Sequence, residues 1–91
     1  MLQVHEFSIS EWIELQVTPQ QCRMARAALR WTIAELAEEA GVGRATVARF
    51  EIGEPVGLQL ISSMRQTFED HRVRFLETGQ FAGGVYRTSA R

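Results

Sequence analysis

Thr32-Ile33-Ala34-Glu35-Leu36-Ala37-Glu38-Glu39-Ala40-Gly41-Val42-Gly43-Arg44-Ala45-Thr46-Val47-Ala48-Arg49-Phe50-Glu51-Ile52-Gly53 is the stretch that decides the fold. It opens on a capping box: the Thr32 hydroxyl is placed to accept the N–H of Glu35, and the Glu35 side chain to reach back to the N–H of Thr32. A helix is expected to start there, with Trp31 and Leu36 stapling its entry. Ile33, Leu36, Ala37 and Ala40 fall on one side of it and leave Glu35, Glu38 and Glu39 to water. Gly41 stops it, because a glycine just past the last turn takes the left-handed conformation without a Cβ clash. Val42 and Gly43 then lead into a second helix over 44–52, which ends near Gly53 and the Glu54-Pro55 pair. At about 100° per residue, Val47 and Phe50 share one side. Ala45, Ala48 and Arg49 share the other, with Arg44 nearby, so one face is apolar and its opposite small and cationic.

This segment resembles the helix-turn-helix of the XRE family, the phage-repressor-like and Cro-like transcription regulators. The physical demands of such a pair are met position by position. Ala37 is small where the helices cross, Gly41 supplies the positive φ of the tight turn, Val42 fills the space beneath it, and Val47 with Phe50 seats the second helix on the first. The resemblance spans about 18–70 and implies a mainly α fold, a four- to five-helix phage-repressor-like bundle. In that fold the second helix lies in the DNA major groove with its first residues on the base edges, while the preceding helix crosses the backbone. The resemblance thereby assigns Gly43, Arg44, Ala45, Thr46, Ala48 and Arg49 to the DNA face. Arg44 or Arg49 can fork onto guanine O6 and N7, Ala45 and Ala48 permit close approach and can touch a thymine methyl, and Thr46 and Thr32 are expected on phosphates. Two positions depart from the family pattern: Ile33 replaces a glutamine that grips phosphate in many relatives, and Gly43 replaces the usual serine cap.

Upstream, Thr18-Pro19-Gln20-Gln21 repeats the helix-start grammar, with proline at the first helical position, where its missing N–H costs nothing. Val17 and Cys22 can staple that entry, and Cys22, Ala25 and Leu29 continue its apolar face, which makes Cys22 a core residue rather than a reactive thiol. Arg23, Arg26 and Arg30 form a stripe that either steers DNA or pairs with Glu35, Glu38 and Glu39. Residues 1–17 form an N-terminal extension, in which Ser10 followed by Glu11, Trp12, Ile13 and Leu15 permits a short capped helix.

Downstream, Leu60, Ile61, Met64 and Phe68 space a further core-packed helix from Leu58 to about Asp70. Beyond it the period changes: Arg72, Val73, Arg74 and Phe75 alternate, and Val85, Tyr86 and Arg87 can pair with them as a short β-hairpin. A lone hairpin is marginal in water, so it needs helix packing or a partner strand. Gly83-Gly84 is a turn rather than a phosphate loop. The division expected is thus 1–17 extension, 18–70 DNA-binding bundle, and 71–91 hairpin and tail, with Val73, Phe75 and Tyr86 as the candidate dimer contact.

The chain of 91 residues has room for one core. Ten basic residues, all arginine, stand against 11 acidic ones for a net charge of −1, which excludes a histone-like blanket and predicts a modest salt dependence of DNA binding. The single cysteine can close no internal disulfide and has no zinc-ligand companions, which points to a reducing compartment, the cytoplasm. No run of about 20 apolar residues offers a membrane span, and Glu6, Glu11 and Glu14 are unlike a basic signal-peptide start. His5 and His71 are far apart and expected on the surface, and no convergent cluster suggests catalysis, a metal or a cofactor. The expectation is a sequence-specific DNA-binding transcription regulator, a repressor binding a pseudo-palindromic operator as a homodimer. The alternative is the antitoxin of a toxin–antitoxin pair, or a protein-interaction adapter on the same fold.

Overall fold

Helix starts chosen by threonine or glycine, and helix ends chosen by left-handed residues, divide the helical part of the computed structural model, which describes residues 17–76, 80 and 82–88. The elements are α1 (Pro19–Leu29), α2 (Ile33–Ala40), α3 (Arg44–Glu51), α4 (Leu58–Asp70), β1 (Val73–Phe75) and β2 (Val85–Arg87). The Thr18 box closes reciprocally at 3.0 and 3.1 Å, and the Thr32 box at 3.1 and 2.8 Å. α1 ends at Arg30, which takes the left-handed conformation (φ 59°), so only Arg30, Trp31 and Thr32 separate α1 from α2. Gly41 turns out of α2 at φ 71°. α3 stops at Glu51, one residue before the expected boundary, because Ile52 is already the cap and Gly53 leaves at φ 94°. The short helix read over Ser10–Leu15, and His5 and Trp12, lie outside the described residues.

The inward faces meet in one core. Cys22 and Ala25 of α1, Leu36 and Ala37 of α2, Val47 and Phe50 of α3, and Ile61, Met64 and Phe68 of α4 are all buried, together with Val17. Ile33 and Ala40 cover its edge. Burying a large apolar side chain contributes roughly 1.5–3 kcal/mol, so Leu36, Met64 and Phe68, each fully enclosed, are main anchors.

β1 and β2 are antiparallel, with Val73 opposite Arg87, Arg74 opposite Tyr86 and Phe75 opposite Val85. The hairpin does not stand alone: Val73 is wholly buried, the Phe75 ring meets Phe68 edge-on at 6.0 Å, and Gln21 Nε2 donates to the Gly84 carbonyl. Helix packing therefore supplies the support that a two-stranded ribbon needs. Two expectations are corrected here. Arg72 is not a strand residue; it takes a left-handed turn (φ 71°) that lets the chain reverse out of α4. Val73 belongs to the protein's own core and is not free for a dimer contact, whereas Tyr86 on the opposite face is 49% exposed. Among the described residues, no helix is long and apolar enough to cross a membrane.

Candidate nucleic-acid interface

α3 turns two chemically different faces in opposite directions. Val47 and Phe50 point into the core. Gly43, Arg44, Ala45 and Arg49 are exposed, and Thr46 and Ala48 are half-buried beside them. These are the residues that the sequence assigned to one surface, and α3 does carry them together. Among the described residues neither Arg44 nor Arg49 has an ion-pair partner. The nearest competitor in sequence, Glu51, is buried on the inner side.

The starts of α2 and α3 differ. Gly43 caps α3 in an extended conformation and offers no side-chain hydrogen bond, so the first-turn N–H groups have no side-chain partner. Thr32 is exposed, but its hydroxyl oxygen already accepts the Glu35 N–H, and its own N–H is held by the Glu35 carboxylate. The capping box thus occupies the N–H groups of Thr32 and Glu35, leaving the Thr32 hydroxyl proton to donate outward. Between α2 and the start of α3 lies an open cleft of about 330 Å³ lined by Ala34, Glu35, Ala37, Glu38, Val42 and Arg44. Its two carboxylates place negative charge on one flank of the arginine face.

The arginine stripe on α1 resolves in a way the sequence alternatives missed. Arg26 forks onto Glu51, Nε to Oε2 at 2.7 Å and Nη2 to Oε1 at 2.8 Å, while its Nη1 donates to the Trp31 carbonyl at 3.0 Å. Arg23 donates to the backbone carbonyl of Glu51, and the Cys22 thiol donates to Glu51 Oε2 at 3.1 Å. Arg26 is therefore committed to Glu51 rather than to Glu35, Glu38 or Glu39, whereas Arg23 and Arg30 remain exposed, Arg30 with its backbone as the left-handed cap of α1. Burial pushes the Glu51 carboxyl up, but the hydrogen bonds from Arg26 and Cys22 and the charges of Arg26 and Arg23 together hold it below its ordinary value. The Cys22 thiol is pushed well up by burial, then by the hydrogen bond to Glu51 and its charge, which keeps it protonated. Arg26 is raised, chiefly by its bonds to Glu51. The signal was present in the spacing: Glu51 lies four residues after Val47, and Arg26 four after Cys22, so both fall on inward faces.

His71 is also not simply solvated. It ends α4 with Nδ1 2.9 Å from the Thr67 carbonyl, sets its ring edge-on to Trp31 at 4.7 Å, and brings Nε2 within 3.8 Å of Glu39.

Residues 23–64 match the family model described as Helix-turn-helix. The matched span runs from within α1, through α2 and α3, to within α4. No curated protein matches the chain.

Proposed function

Taking residues 23–64 as a DNA-binding helix-turn-helix domain of the XRE family, we propose that the chain is a sequence-specific transcription regulator, a repressor that binds a pseudo-palindromic operator as a homodimer with α3 in the major groove. The observation that carries this reading is the outward pair Arg44 and Arg49, without ion-pair partners among the described residues and set beside the small Ala45 and Ala48, while Glu51 is turned inward. Small residues let the helix axis approach the base edges, and a guanidinium fork then matches guanine O6 and N7. Gly43, with the uncapped first turn of α3, and the hydroxyls of Thr46 and Thr32 suit the flanking phosphates.

One such module reads too few base pairs to find a unique genomic site, and two-fold duplication is the physical remedy. In this reading the hairpin supplies the dimer contact through Tyr86 on its exposed face. Repression follows from occupancy of the operator in the cytoplasm, and no cofactor or reaction is assigned. The test is selection of bound fragments from random duplex DNA by the purified full chain. Enrichment of an inverted repeat supports the reading. Failure to enrich any sequence would replace it with the protein-interaction module, and co-purification of a second small protein would mark that module as an antitoxin.

A further inference from the structure

The end of α3 is held by a device whose directionality exceeds what packing requires. Val47 and Phe50 attach α3 to the core through apolar contact, which is non-directional and tolerates small rotations about the helix axis. The two-pronged contact from Arg26 to Glu51 is directional, because a guanidinium fork and a carboxylate meet well only when nearly coplanar. The Cys22 thiol and Arg23 fix the same residue from two further atoms of α1, one on the carboxylate and one on the backbone carbonyl. The pair is also enclosed, with Glu51 5% and Arg26 20% exposed. Buried ion pairs add little net stability relative to apolar replacements, and one attested use is to specify a single arrangement.

We infer that Glu51 is a positioning residue for DNA reading: clamped by Arg26, Cys22 and Arg23, it sets the rotation of α3 and so aims Arg49 and Arg44 at the base edges. The inference rests on the DNA-binding reading above and adds to it a residue that touches no DNA. Arg49 lies two residues before Glu51, on the far side of α3, so a small turn about the axis swings it directly. A rotation of about 10° moves a side-chain tip, about 6 Å from the axis, by about 1 Å. Functional geometry has to be held to within about 0.5 Å and 10–20°, so such a slip degrades base reading. Phosphate contacts, being less dependent on register with the bases, are largely spared.

The experiment compares the affinity of the full chain for its selected duplex with that for a random duplex, at a temperature well below the melting point of each variant. A merely structural role lowers the melting temperature and leaves this ratio unchanged in the folded protein. Glu51→Gln, close in shape, is expected to lower the ratio about tenfold, mainly by weakening the selected duplex while the random-duplex affinity and its salt dependence persist. Cys22→Ala removes one hydrogen bond but leaves the ion pair, and is expected to lower the ratio about threefold. Cys22→Ser restores a donor facing Glu51 and should recover it. Should Glu51→Gln fail to fold, the Cys22 pair decides: loss in alanine with recovery in serine supports the inference, and equal ratios in alanine and parent overturn it. A parent that discriminates alongside a Glu51→Gln variant with an unchanged ratio overturns the positioning role alone. A parent that prefers no sequence overturns the DNA reading, and the positioning role with it.

Discussion

Arg49 on α3 and Gly43 at its cap allow the proposed reading of DNA to be tested apart from the folding of the helix. Arg49 is exposed, without an ion-pair partner among the described residues, and on the face opposite Phe50. Arg49→Ala is expected to weaken binding to the selected duplex by about 1–3 kcal/mol with the melting temperature nearly unchanged, as measured by titration and thermal unfolding. Equal losses on selected and random duplexes would make it a phosphate contact instead. Gly43 has the extended conformation of an ordinary N-cap (φ −75°, ψ 148°), and a Cβ built there would meet only Thr46 Oγ1, at 3.7 Å. Gly43→Ser should therefore cap α3 and raise stability by about 0.3–1 kcal/mol, read as a small increase in melting temperature. A decrease would show that the glycine is needed for its backbone.

Between elements, the contact of α1 with the end of α3 makes the bundle acid-sensitive. The Glu51 carboxyl is held below its ordinary value in the folded chain, so its contribution is complete above the usual carboxylate range and is lost as pH falls through the lowered value. The melting temperature should fall in acid, and Glu51→Gln should flatten part of that fall. An identical slope in parent and variant would remove the pair from the acid response. On the other side of α3, Glu38 shares a cleft with Arg44. Glu38→Gln is expected to tighten DNA binding at low salt and to lose that advantage as salt screens it, as followed by titration at several ionic strengths. Local sequence grammar predicted the helices well, because Thr18 with Gln21, Thr32 with Glu35, and Gly41 each act within one turn. The Arg26–Glu51 fork was harder to find because it joins residues 25 apart, and the sequence offered Arg26 only DNA or the acidic residues of α2 as partners. The outward placement of Gly43, Arg44, Ala45 and Arg49 was legible for the converse reason: Val47 and Phe50 define the buried side of the same short helix.

For the whole molecule, what remains at the surface after the core has closed limits how two copies can meet. Val73 is spent inside, and Phe75 is half-covered with its ring on Phe68, so among the described residues of the hairpin Tyr86 is the exposed aromatic. The alternation of residues 72–75 predicted a ribbon but could not reveal which of its faces the helices would claim. Tyr86→Glu is expected to yield monomers, as measured by sedimentation, whose melting temperature no longer depends on protein concentration; a dimer that survives it would reject the hairpin as the contact. The enclosure of Cys22 has a consequence of another kind. It is the only cysteine in the chain, is wholly inaccessible, and sits where α1 meets the end of α3. Alkylating reagents can reach its sulfur only after these helices separate, so the rate of its labelling under native conditions is a stopwatch for core opening, built in without any added probe.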